Sequence, residues 1–155
     1  ALPIYAISGC TLILTTSQKD AREIGKSLQR SGYTIYTQGI SWGKGKIQSL
    51  FLKNAEKSII VGTIENWHEE YELLQHIREI IIVKMPFDPP SDTYFVARTK
   101  GLKNNFDLYS IPMVIQKLNS LIFTMKSINP TCAIFCWDIR LENTEWGKRI
   151  YKEIL

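Results

Sequence analysis

Gly25-Lys26-Ser27 spells the tail of a phosphate-binding loop. The chemistry of such a loop needs Gly-x-x-x-x-Gly-Lys-Ser/Thr, so that a glycine-rich turn wraps its backbone N–H groups around phosphate oxygens. The first glycine belongs at position 20, where this chain has Asp20. Ala21, Ile24 and Leu28 recur at helical spacing, which predicts a helix from near Ser17 or Lys19 through the triplet. No loop forms in the middle of a helix, so the triplet is expected to be a chance match.

Two other places combine hydroxyls, glycine and a strand-to-helix change. Thr15, Thr16 and Ser17 follow the apolar run Thr11–Leu14, and Gly62-Thr63 closes IIVGT. Each has two readings. A hydroxyl can cap the helix that follows, or the turn can present hydroxyls and free N–H groups to a phosphate. A glycine also lets backbone approach a ligand closely. Trp67 offers a ring for stacking a base or for packing a core. Lys44, Lys46, Arg98, Lys100 and Lys103 can follow a phosphate backbone or simply be solvated.

The remaining reactive residues lack a partner pattern. His68 and His76 are eight apart, the wrong spacing for two metal ligands on one helical turn. Glu69, Glu70 and Glu72 read as a solvated helix face. Asp138 and Arg140 read as a structural pair or as a clamp on the neighbouring helix. Cys10, Cys132 and Cys136 are odd in number and lack Cys-x-x-Cys spacing, so they read as small buried hydrophobes in a reducing, cytoplasmic setting. No Ser/His/Asp or Cys/His arrangement emerges, and no catalytic residue or metal site is assigned.

Behind these residues stands an α/β pattern. The chain has 155 residues, 45% hydrophobic and 22% charged, with net charge +4, which suits one domain 1–155 and permits nucleic-acid contact without demanding it. No apolar run is long enough to span a bilayer, and no signal-peptide pattern opens the chain. Because the first residue is Ala, a fragment of a longer protein is expected. Strands are expected at Thr11–Thr15, Tyr33–Thr37, Ser58–Val61, Glu79–Met85 and Cys132–Asp138. Helices are expected at Lys19–Arg30, Lys44–Leu52, Ile64–His76, Met113–Lys126 and Thr144–Leu155, with Pro86 to about Ile111 irregular. Continuous runs such as SIIV and IIIV predict strands covered on both faces, hence a mostly parallel sheet between helix layers.

Five collinear stretches then carry a family likeness along nearly the whole chain. LILTTSQKDAREIGKSL (12–28), Gln38-Gly39 with Lys46–Phe51, IIVGT (59–63) with Trp67, IIIVKMPFDPPSD (80–92), and YSIPM (109–113) with Trp137-Asp138-Ile139-Arg140 and Trp146-Gly147-Lys148 appear in order. Together they resemble the second RecA-like lobe of the XPD/DinG branch of superfamily-2 DNA helicases. The resemblance implies a RecA-like three-layer α/β fold. It also implies single-stranded DNA contact at Thr15, Thr16, Ser17, Gln38, Gly62 and Thr63. An N-terminal helicase lobe of the same protein would be the partner, and no membrane would be involved. No cofactor is expected in this domain, while ATP and Mg belong to the parent protein.

Departures from the family pattern bear on catalysis. Motif V keeps Gly62, Thr63 and Trp67, but Glu65, Asn66, His68, Glu69 and Tyr71 replace its other residues. The motif VI positions, Gln-x-x-Gly-Arg-x-x-Arg in the family, hold Ser120, Phe123, Thr124 and Ser127. In the family these arginines face the γ-phosphate bound on the other lobe, and a positioned arginine there is worth on the order of a thousandfold or more in rate. Lys126 is one residue out of place, and SLIFTM (120–125) reads as a core-facing helix. Walker A and Walker B motifs are absent from this chain. The implied function is a DNA-binding helicase lobe impaired in hydrolysis, serving in some bacterial relatives beside a 3′→5′ exonuclease domain. The alternatives are a protein-interaction module that keeps only the fold, and a working helicase with arginines supplied elsewhere.

Overall fold

The computed structural model describes residues 7–154. They form two compact units: one reaches to Lys84 and includes Phe123–Trp137, and the other comprises Met85–Ile122 and Asp138 onward.

The first unit is built on five parallel strands, β1 (Thr11–Thr15), β2 (Thr34–Thr37), β3 (Ser58–Thr63), β4 (Glu79–Val83) and β5 (Ala133–Trp137), in the order β2-β3-β1-β4-β5. Ile13 stands level with Val61 on one side and Ile81 on the other, while Leu12 stands level with Ile60 and Ile80. Alternation therefore sorts the side chains onto two faces, both covered along the central strands β1 and β3. Ile13, Ile59, Val61 and Ile81 pack with Ala21 and Leu28 of the α1 region. Each such buried aliphatic side chain contributes about 1.5–3 kcal/mol. The chain moves one way from β1 to β2 and the other way from β2 to β3 and onward. Right-handed crossovers then place α1 (Gln18–Ser27) on one face and α2 (Lys44–Lys53), α3 (Ile64–Trp67) and α4 (Tyr71–Leu74) on the other. This is the expected α/β architecture, all parallel, and it accords with a RecA-like three-layer fold.

Gly25-Lys26-Ser27 closes α1, as the helical spacing requires. A Cβ on Gly25 would fall 2.1 Å from Thr37 Oγ1, so this glycine lets the helix lie against β2. A 3₁₀ turn, Leu28–Arg30, continues it.

Several boundaries differ from expectation for local reasons. β4 ends at Val83 because Lys84 adopts a left-handed backbone, φ 67°. The expected helix Ile64–His76 is two short helices, broken between Trp67 and Tyr71. Trp67 and Thr63 are held at the first of them by Gln38, a tertiary tie that helical periodicity cannot reveal.

In the second unit the expected irregular stretch contains α5 (Thr93–Thr99), capped by Asp92, whose carboxylate accepts from the Phe95 N–H at 3.0 Å. A π-type turn, Phe106–Ser110, then leads into α6 (Ile111–Ile128), whose residues from Phe123 on belong to the first unit. Its widened turn precedes Pro112, whose ring cannot share an α-helical turn with the carbonyl four residues back. α7 (Arg140–Asn143) and α8 (Glu145–Glu153) close the unit, with Thr144 capping α8 through the Gly147 N–H at 2.9 Å. The expected end of that helix at Leu155 lies outside the described residues.

Candidate nucleic-acid interface

The carboxyl ends of β1, β2 and β3 are neighbours, and the six expected DNA-contact residues gather there. Thr15 is fully buried; its hydroxyl donates to the Ser17 carbonyl at 2.8 Å and lies 3.4 Å from the Gly62 carbonyl. Ser17 caps α1, accepting from the Asp20 N–H at 3.1 Å and donating to the Asp20 carboxylate at 3.0 Å. Thr16 between them is exposed, and its hydroxyl has no partner among the described residues. Capping thus occupies Ser17 and turn closure occupies Thr15, leaving Thr16 facing water.

β1 and β4 are adjacent, yet their onward connections leave in opposite directions, the arrangement at which open α/β sheets place ligands. Here Lys84 Nζ lies 2.8 Å from Asp20 Oδ1. The ammonium beside Asp20 holds its carboxyl below the usual carboxylate range, against a smaller opposing effect of burial. Sequence reasoning missed this pair, because its partners are 64 positions apart.

At β2 and β3 a single acceptor gathers three donors. Gln38 Oε1 lies 2.9 Å from the Thr63 N–H nitrogen, 3.3 Å from Thr63 Oγ1 and 3.0 Å from Trp67 Nε1. Trp67 is fully buried and packs as core, so its ring is not a platform for a base. A Cβ on Gly62 would fall 2.2 Å from Trp67 Nε1, so close approach of the indole explains this glycine. The Gln38 side-chain amide nitrogen keeps its two donors without a partner among the described residues.

Beside this lock lies an open groove of ≈ 420 Å³, whose lining includes Ile40, Trp42, Ile47 and Trp67. Trp42 is 55% exposed and leans on the buried Tyr36, ring centroids 6.4 Å apart. Lys44 spans the rim, over the Trp67 ring at 5.9 Å and paired with Glu70. Sequence reasoning did not single out Trp42, although a tryptophan between glycine-rich turns and lysines was a signal that could have found it.

Ser120, Phe123, Thr124 and Ser127, the positions expected to stand for motif VI, recur at i, i+3, i+4 and i+7 on α6 and share a helix face. That face is not core. Ser120 and Ser127 are exposed, Phe123 is 75% exposed, and Thr124 is half-buried, whereas Leu118, Leu121 and Met125 are the buried residues. The core-facing reading of SLIFTM therefore holds only for Leu121 and Met125. The Ser127 hydroxyl is turned back onto the Phe123 carbonyl at 2.7 Å, and Lys126 Nζ donates to the Cys132 carbonyl. No positive fork stands on this face.

Asp138 and Arg140 form the anticipated structural pair within the second unit. Burial alone would raise the Asp138 pKa, but the Arg140 guanidinium, with Nε at 2.8 Å, and the Met85 and Arg140 N–H groups hold it below the carboxylate range. Arg140 also lies over Phe87 at 5.8 Å and Trp146 at 5.5 Å, fixing the loop to α8. Burial pushes the Cys136 thiol up to about 11, and Cys10 and Cys132 are raised for the same reason, so none is a ready nucleophile. His68 Nδ1 lies 2.9 Å from the Ile64 carbonyl; Glu69 and Glu72 are exposed. Among the described residues no group of three His, Cys, Asp or Glu is placed to hold a metal, and no helix is long and apolar enough to cross a membrane.

No family model matches the chain. Among curated proteins it is similar to the 3'-5' exonuclease DinG of Bacillus subtilis (strain 168), 27% identical over 148 residues. The match spans 88% of this chain and 16% of that protein's length. This likeness and the all-parallel α/β sheet are consistent with a DinG-related region.

Proposed function

We propose that this chain is the second RecA-like lobe of a DinG-related protein and holds single-stranded DNA along the carboxyl edge of its sheet. The observation that carries this reading is the placing of free donors at the ends of the two strands on either side of β3. Among the described residues the Thr16 hydroxyl after β1 and the Gln38 amide after β2 have no partner, and they flank the Thr63–Trp67 lock on β3. Donors so placed suit phosphate oxygens, which position a strand without reading its bases. Thr15, Ser17, Gly62 and Thr63 then act through the backbone they shape.

The face of α6 does not fit a γ-phosphate half-site, because Ser120, Phe123, Thr124 and Ser127 carry no charge and Lys126 is engaged. ATP with Mg²⁺ would be held by an N-terminal lobe, and hydrolysis there would lack the arginines of this lobe. In a protein similar to an exonuclease, such a lobe serves as the module that holds the nuclease's DNA. A second reading, a protein-interaction module that keeps only the fold, is favoured by one observation, the 75% exposure of Phe123 on that face.

The test is fluorescence anisotropy of a labelled oligo(dT) on the intact protein, comparing wild type with Thr16→Ala and Thr16→Asp. Loss of one hydrogen bond to a charged group should weaken binding about tenfold in the first, and repulsion should weaken it further in the second. Equal affinity in all three removes DNA from this edge and leaves the interaction module.

A further inference from the structure

Resting on the DNA-holding reading, we infer that the groove beside Gln38 is a base-stacking subsite for single-stranded DNA, with Trp42 as its platform. Four observations converge on it. The groove, ≈ 420 Å³, falls within the range of small-ligand sites, roughly 300–1,000 Å³. Its lining includes a large aromatic side chain, Trp42, 55% exposed and in tilted contact with Tyr36, so the ring is held yet accessible. Every base has a π-face, so such a ring takes any base in turn.

The polar groups fit the rest of a nucleotide. The free Gln38 amide donors border the groove, and Lys44 spans its rim. Lys46, exposed two residues on and outside the groove lining, has no carboxylate partner among the described residues, while Lys44 shares its charge with Glu70. Two cations against one carboxylate on the first turn of α2 and its surroundings favour a polyanion passing beside the groove.

Gly45 supplies the fourth observation. It lies inside the first turn of α2, where glycine costs about 1 kcal/mol relative to alanine. Its φ is not in the left-handed region and a Cβ would meet nothing within 4 Å, so the fold does not require it. Gly45 adjoins Gly43 and Lys44, which line the groove, so the backbone beside the rim carries no side chain there. The groove is also continuous with the DNA edge: β2 is two strand spacings from β1, about 10 Å. A strand held at Thr16 reaches Trp42 along the sheet ends.

The experiment measures affinity of the intact protein for labelled oligo(dT) and for an abasic oligomer of the same length. Trp42→Ala should weaken oligo(dT) by roughly 5- to 150-fold, the loss of one base–aromatic stack, and leave the abasic oligomer unchanged. Trp42→Phe should restore most of the difference. Gly45→Leu should raise the unfolding midpoint while weakening oligo(dT), a combination that a purely structural role does not produce. If Trp42→Ala binds oligo(dT) as wild type does, or weakens both oligomers equally, the stacking subsite is wrong and the DNA-holding edge stands. If wild type binds neither oligomer, both are wrong.

Discussion

The Lys84 ammonium lies 2.8 Å from the Asp20 carboxylate, so the residue that ends β4 reaches across to the first turn of α1. It does so from a left-handed backbone, φ 67°, which costs a non-glycine residue roughly 1–2 kcal/mol. The pair is half-exposed on the lysine side and is worth about 0–1 kcal/mol. Lys84→Ala should therefore lower stability by up to about 1 kcal/mol, losing the pair and keeping the strain. Lys84→Gly should leave it unchanged or raise it by about 1 kcal/mol. Urea unfolding of the two variants checks this, and a glycine variant less stable than the alanine variant would refute the strain.

Acid should unfold the protein through Asp20 and Asp138. Lys84 and Arg140, respectively, hold these carboxyls below their unfolded values, near 4. A depressed folded pKa contributes stability that is fully present above the unfolded value and is lost as pH falls through the folded one. Stability should be flat with respect to these groups from pH 6 to 8 and decline below about 4. Asp138→Ala should cost about 2–3 kcal/mol at neutral pH, because the Met85 and Arg140 N–H groups lose their acceptor. It should also flatten the acid limb. Thermal melts across pH, wild type against variant, provide the measurement; parallel acid limbs would contradict the assignment.

ATP turnover should be weak even with DNA present. The α6 face that would meet a γ-phosphate carries Ser120, Phe123, Thr124 and Ser127, and the nearby Lys126 ammonium is bonded to Cys132. Steady-state turnover by the intact protein should stay well below about one per second, the slow end of ordinary enzymes. A rate at or above that, stimulated by single-stranded DNA, would show that a charge from elsewhere completes the site. Thr124→Arg with Ser127→Arg is not expected to restore turnover, since motif V also departs at Glu65, Asn66 and His68.

How much of this was legible differs by element. The strands were, because SIIV and IIIV are buried on both faces and their β-branched runs say so directly. The helical fate of Gly25-Lys26-Ser27 was legible from Ala21, Ile24 and Leu28. α5 was hidden by the prolines before it, although Asp92 three residues ahead of Phe95 was a readable cap. The division of labour among Thr15, Thr16 and Ser17 was not legible. It depends on Gly62 and Asp20 accepting from particular hydroxyls, and residue type alone does not say which of three neighbours faces water. The Gln38 lock and the Trp42 groove join positions about thirty apart through strand register, which local pattern does not carry.

The central claim is that phosphates lie along the carboxyl edge of the sheet, and salt tests it most directly. Neutralising each phosphate of a single strand with Lys or Arg gives a slope of about −0.7 in log K against log salt. Contacts by Lys44 and Lys46 should give a slope of roughly −0.7 to −1.4 for oligo(dT) binding to the intact protein, reduced by about 0.7 in Lys46→Ala. Binding with little dependence on base composition and with that slope supports the account. Affinity that does not change between low and high salt, or no measurable binding at low salt, contradicts it.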